Sequence, residues 1–179
     1  MEYKHITHPF LPLYDEDSRV LILGSLPSIK SREEMFFYGH PQNRFWKVIS
    51  AVFSEEVPFG IEEKKSLILK NHLALWDTIF SCDIIGSSDS SIKNVEPTNL
   101  LPIIENSKVS QIVCNGKTAW SYFNKYQKNL LNMEAVLLPS TSPANAAWSL
   151  ERLIDSWQKV LTSEQTLEGS STETALRSI

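Results

Sequence analysis

Four short apolar runs, bounded by turn residues and separated by stretches of helical periodicity, constrain this chain more than any other feature. Val20 to Leu23, between Arg19 and Gly24, reads as a buried strand. Leu73 to Phe80, Val109 to Cys114 and Ala135 to Leu138 read as three more. Phe45, Val48, Ile49 and Val52 recur at steps of three and four, the face of a helix whose first turn suits Pro41. Glu62 to His72 turns Leu67 and Ile68 inward beneath a charged face. Thr98 to Glu105, capped by Thr98, and Thr118 to Tyr126 read as further helices. Leu150, Leu153, Ile154, Trp157 and Leu161 mark one face of a terminal helix, and Cys82 to Asn94 reads as a polar loop. Strands alternating with helices predict a parallel sheet covered on both faces. Ligands bind such sheets beyond the carboxyl ends of the strands, so the loops after Leu23, Phe80, Cys114 and Leu138 are expected on one rim.

The 179 residues suffice for one domain and not for two. We expect a single domain over 1–161 and a mobile tail, rich in Ser, Thr and Glu, over 162–179. A net charge of −4 excludes a protein that coats DNA through a broad basic field. It leaves room for one that grips a few phosphates with backbone N–H groups and hydroxyls. No apolar run approaches the ~18–20 residues that cross a bilayer, and Met1 to Leu13 lacks the plan of a signal peptide, so no membrane partner is expected. Cys82 and Cys114, without paired spacing, exclude a disulfide framework and a zinc ribbon and suggest a reducing cytoplasm.

Four segments fall on the expected rim. Gly24-Ser25-Leu26-Pro27-Ser28 lets the backbone approach a ligand closely, or simply ends a strand. Tyr38-Gly39-His40-Pro41-Gln42-Asn43-Arg44-Phe45-Trp46 gathers a phenol, an imidazole, an amide and a guanidinium at a helix start, with Phe45 and Trp46 as core. Arg44 is either a phosphate contact or a surface ion pair. His40 has no companion ligands, so no metal is expected. Asp77, in Leu75-Trp76-Asp77-Thr78-Ile79, either lines a pocket or satisfies loop amides. In Leu138 to Ala147 two prolines stiffen a run of hydroxyls and small residues that can press on a phosphodiester backbone, or serve as a linker with capping serines. Walker, dinucleotide and nucleophile-elbow motifs are missing, which disfavours an unrelated α/β hydrolase.

In this order the four segments resemble the uracil-DNA glycosylase superfamily over about residues 5–160. His40-Pro41-Gln42-Asn43-Arg44-Phe45-Trp46-Lys47-Val48-Ile49 is similar to the mismatch-specific uracil/thymine branch. The whole set, with Pro139-Ser140-Thr141-Ser142-Pro143-Ala144-Asn145, resembles the hypoxanthine-DNA (DNA-deoxyinosine) glycosylase branch. The resemblance implies a three-layer α/β/α sandwich around a central, mainly parallel four-stranded sheet. It also implies a monomer that flips a deaminated base out of DNA and hydrolyses its N-glycosidic bond without metal or cofactor.

The superfamily commonly holds the attacking water with an Asn or Asp at the third residue of the first loop; here that residue is Leu26. The resemblance therefore moves catalysis to Asn43, whose amide carbonyl would accept a hydrogen bond from water; the other reading makes Asn43 a structural bracket. It places Gly24, Ser25, Leu26, Tyr38, His40, Asp77 and Asn115 at the base pocket, and Ser28, Ser140, Ser142, Pro143, Ala144 and Asn145 against DNA. Asp77 stands where relatives read uracil with an asparagine, and as a carboxylate it would accept the N1–H of hypoxanthine. A uracil/thymine mismatch glycosylase and, given Leu26, a catalytically inactive nucleic-acid binder are the alternatives.

Overall fold

The computed structural model describes residues 2–163. Of the polar tail expected from 162 onward, residues 164–179 lie outside the described residues. Strand β1 is Lys4–Thr7 and β2 Val20–Gly24, followed by helices α1 (Ile29–Glu34), α2 (Phe45–Val52) and α3 (Ile61–Lys70). Strands β3 (Leu73–Asp77), β4 (Ile79–Ile84) and β5 (Lys93–Pro97) come next, then α4 (Leu101–Glu105), β6 (Gln111–Asn115), α5 (Lys117–Tyr126), α6 (Lys128–Leu131), β7 (Ala135–Leu138) and α7 (Leu150–Leu161).

The central sheet has the order β3-β2-β6-β7, and every pair in it is parallel. All five residues of β2 are buried, so both faces of the sheet are covered, as its unbroken apolar sequence requires. Helix α2 buries Phe45, Trp46, Val48, Ile49 and Val52. It packs on α7, where Trp157 meets Phe45 edge to face with ring centroids 6.0 Å apart. Ser149 caps α7 by accepting the Arg152 N–H at 3.3 Å. The strand register aligns the carboxyl ends: Gly24 lies opposite Asp77, Leu23 opposite Cys114, and Asn115 opposite Leu138.

Four sequence expectations need correction. The run from Leu73 to Phe80 is two strands: the chain leaves the sheet at Thr78, whose N–H donates to the Gly24 carbonyl at 2.9 Å. The rim segment therefore starts after Asp77 rather than after Phe80. The loop expected over Cys82 to Asn94 loses both ends to β4 and β5, which with β1 form a second, antiparallel sheet in the order β1-β4-β5. A small apolar cluster of Ile79, Cys82 and Ile84 backs that sheet. Thr98 does not cap α4; it is buried, and its hydroxyl donates to the Asp77 carbonyl at 2.7 Å. Pro41 lies in a turn ahead of α2, which begins only at Phe45.

Pairing of β1 with β4 carries the chain over the end of β3. The His8 N–H donates to the Phe80 carbonyl at 2.7 Å, and Leu13 bridges Leu75 in antiparallel fashion. Residues 8–13 thus wrap the strand that ends in Asp77.

Candidate active site

A cleft of about 1220 Å³ opens over the aligned strand ends. This exceeds the ~300–1,000 Å³ typical of small-molecule sites and suits a segment of a larger ligand. Every residue placed in the base pocket or against DNA from sequence lines it: Gly24, Ser25, Leu26, Tyr38, His40, Asn43, Asp77 and Asn115, with Ser28, Ser140, Ser142, Pro143, Ala144 and Asn145. Their roles within it differ.

The floor is built on Gly24. Any Cβ there would overlap Asp77 Oδ1 and stand 3.4 Å from the Tyr38 hydroxyl, so only glycine lets these two polar groups converge over the strand end. Asp77 is buried, and its Oδ2 lies 2.7 Å from His8 Nε2. Tyr38 sits in the left-handed region with φ 53°, its ring stacked on Phe45 at 3.9 Å. Strained backbone of this kind persists where the surroundings over-determine it. The hydroxyl is buried and no atom meets hydrogen-bond geometry with it. Burial, then the charge of Asp77, pushes its pKa far up, while nearby Asn115 draws it partly back. Tyr38 is therefore a protonated donor with no acceptor.

Leu26 leaves the water-holding position empty. Its side chain packs against the Ile79, Cys82 and Ile84 cluster. Asn43 Oδ1 accepts the Phe45 N–H and the Thr141 hydroxyl, each at 2.9 Å. An amide oxygen has two lone pairs, and both are occupied. The backbone N–H can only donate, so the amide cannot be turned round, and the group Asn43 still offers is Nδ2. This geometry sits poorly with the expectation that its carbonyl holds water.

Thr141 is the knot of the rim. It is fully buried, donates to Asn43, accepts Asn115 Nδ2 at 3.0 Å, and returns its own N–H to Asn115 Oδ1 at 3.0 Å. Arg44 turns inward, against the rim loop, rather than into a surface ion pair. Its guanidinium donates to the carbonyls of Thr141 at 3.4 Å, Ser142 at 2.9 Å and Asn145 at 3.1 Å, and to that of Trp148. The arginine clamps the whole rim loop.

The hydroxyls are partly committed. Ser28 caps α1 by accepting the Ser31 N–H at 3.2 Å. Ser140 and Ser142 accept the N–H groups of Ser142 and Ala144 at 3.1 and 3.2 Å, which leaves each O–H proton free to donate. Pro143 and Ala144 are exposed, and Asn145 Nδ2 donates to the Ser140 carbonyl at 2.9 Å. His40 is exposed and accepts the Gln42 N–H at 3.2 Å. Gly116, at φ 95°, turns the chain into α5, and its N–H is shared between the Cys114 and Leu138 carbonyls. No group of three His, Cys, Asp or Glu side chains able to hold a metal occurs among the described residues. No helix among them is long and apolar enough to cross a membrane.

Sequence reasoning missed His8, Thr141 and Lys117, which begins α5 in the cleft wall. His8 and Asp77 are 69 positions apart, and no spacing rule connects them. Lys117 had a signal, a lone cation just after Asn115-Gly116 at a helix start.

Burial also sets an alkaline limit on the fold. It pushes the Cys114 thiol from 9.0 up to about 12. The folded state keeps a proton that the unfolded chain gives up above pH 9.0, so stability is whole below that pH and falls as pH rises toward 12. Thermal melts across this range should show a falling midpoint, shallower in Cys114→Ala. Equal slopes would mean that Cys114 ionises as freely folded as unfolded.

The chain matches the Uracil DNA glycosylase superfamily over residues 11–161 and belongs to it. The parallel sheet, the helices on it and the cleft at its carboxyl edge are the α/β architecture of that family. A hypoxanthine DNA glycosylase of Methanosarcina acetivorans is 34% identical over 159 residues, spanning 87% of this chain and 98% of its own length. A hypoxanthine DNA glycosylase of Methanosarcina barkeri is 30% identical over 139 residues, 76% of this chain and 86% of its own. A solution NMR structure from Methanosarcina acetivorans, described as a candidate uracil DNA glycosylase, superposes with a TM-score of 0.73 at 32% identity, covering 85% of this chain and 94% of that one.

Proposed function

We propose that residues 1–161 act as one monomeric, monofunctional DNA glycosylase that flips a deaminated base, chiefly hypoxanthine, into this cleft and hydrolyses its N-glycosidic bond. The observation that carries the reading is the convergence over Gly24 of an acceptor, Asp77 Oδ1, and a partnerless donor, the Tyr38 hydroxyl. Hypoxanthine presents an N1–H beside a C6 carbonyl, the complementary edge. Adenine presents an acceptor and an amino group there and is mismatched at both. The names of the two Methanosarcina relatives support the same substrate. The buried free cysteines fit work in a reducing cytoplasm.

In the reaction, water adds to C1′ of the sugar as the bond to the base breaks, the electron pair leaves with the base, and the proton shed by the water neutralises that base anion. Negative charge grows on the base carbonyl, and the hydrogen bond that the Tyr38 hydroxyl donates to it strengthens as the glycosidic bond breaks. Asn43 contributes orientation rather than basicity: Nδ2 donates to the oxygen of the attacking water, leaving one lone pair for C1′. The free O–H groups of Ser140 and Ser142 hold flanking phosphates, while Pro143 and Ala144 press on the gap. Uracil carries the same N–H and carbonyl edge and is the second reading. An inactive binder is the third, favoured only by Leu26.

A duplex with one deoxyinosine should release hypoxanthine and acquire an alkali-labile site without strand cleavage before alkali. A matched deoxyuridine duplex ranks the two bases. Binding without release of either would make the protein an inactive homologue. Ser142→Asp sets a charge against phosphate and should weaken binding by about tenfold or more at low salt. Unchanged affinity would remove the rim loop from the interface.

A further inference from the structure

His8 is fully buried, and its two ring nitrogens have different partners. Nδ1 lies 3.1 Å from the Phe10 carbonyl oxygen, which only accepts, so Nδ1 carries hydrogen. Nε2 lies 2.7 Å from Asp77 Oδ2. A bare Nε2 and a bare carboxylate oxygen would both be acceptors and would repel at that distance. A proton therefore sits between them, by donor and acceptor logic alone. Trp76, with ring centroids 4.1 Å away, and Phe10, at 4.6 Å, pack against the imidazole and fix its orientation.

We propose that His8 is a positioning residue which shares this one proton with Asp77 and so keeps the pair that reads the base free of net charge. The proposal rests on the reading of the cleft as a base pocket. With the proton on nitrogen the pair is imidazolium and carboxylate; with it on oxygen the pair is imidazole and carboxylic acid. Its sum is neutral either way, and Oδ1, turned toward Gly24, accepts a base N–H either way. Neutrality matters because the base leaves with negative charge. A lone carboxylate against its N–H edge would oppose that charge, and one shared with His8 does not. Tyr38, ahead of α2, faces Asp77 over Gly24, and burial keeps it protonated at neutral and mildly alkaline pH. His40 lines the cleft as well but is exposed.

Two variants separate a shared proton from a lone carboxylate. His8→Gln keeps a donor for Oδ2 and leaves the carboxylate charged. Asp77→Asn beside His8 keeps a neutral pair, because its amide would donate to Nε2 and turn its carbonyl toward the base. We expect single-turnover excision of hypoxanthine by the full chain, corrected for the folded fraction from thermal melts, to fall roughly a hundredfold in His8→Gln. Asp77→Asn should lose less than His8→Gln. With ¹⁵N-histidine, the His8 Nδ1 should carry hydrogen and Nε2 should report a bridging proton. The proposal is overturned if Nδ1 is bare, if folded His8→Gln matches the parent, or if Asp77→Asn is the more damaged variant. A parent inactive on every deaminated base overturns the glycosylase reading instead, and the ring signals then decide the shared proton alone.

Discussion

Asn43→Asp is expected to melt near the parent temperature and to lose on the order of a hundredfold in single-turnover rate. One carboxylate oxygen can take both bonds that Oδ1 now accepts, so the tie from α2 to Thr141 survives. The second oxygen replaces Nδ2 and turns the remaining donor into an acceptor. If water is oriented by a donor, that exchange is damaging. If water must be held by an acceptor, Asn43→Asp stays active or gains, and the orienting role given to Nδ2 fails. Asn43→Ala removes donor and bracket together, so it should lose both rate and melting temperature. A normal rate in Asn43→Ala would take the residue out of the chemistry altogether.

Arg44→Ala carries the largest expected cost in stability. The guanidinium holds four carbonyls of the segment from Thr141 to Trp148. Hydrogen bonds from a charged group contribute about 1.5–3 kcal/mol each and do not add, so a loss on the order of 3 kcal/mol is expected. Arg44→Lys should recover little of it, because an ammonium is a point charge without the planar fork that reaches several acceptors. Excision should fall with loop order in both variants. Chemical denaturation gives the stability and hydrogen exchange on 140–148 the order of the loop. Native exchange in Arg44→Ala would show that the loop stands without its clamp.

What could be read in advance follows the range of the interactions. Helix α7 runs from Leu150 to Leu161, as its apolar face predicts, because its periodicity and its Ser149 cap are local. The strand break at Thr78 is invisible in an apolar run, since it depends on a bond to Gly24 in another strand. Thr98 looks like a cap from its neighbours and is instead claimed by the Asp77 carbonyl, 21 positions away. The same limit applies at the site. Most rim residues were legible because they sit at or just after a strand end, and Tyr38, His40 and Asn43 because they gather polar groups just ahead of α2. Their division of labour was not, because the partners of Arg44 and Asp77 come from distant segments, 97–104 positions away for Arg44 and 69 for Asp77.

The rim loop is ordered before any DNA arrives, held from within by Arg44, Asn43 and Asn115. A wall that is already set gives up little freedom on docking, and it also cannot mould itself to the duplex. On the proposed function, the adaptation falls on the nucleic acid, which would bend and release a nucleotide to meet a fixed template. The ease with which a base leaves its own pair then enters the selection directly, so poorly paired lesions are sampled more often than sound bases of similar shape. Such a protein interrogates the mechanical weakness of the helix first and the chemistry of the extruded base second.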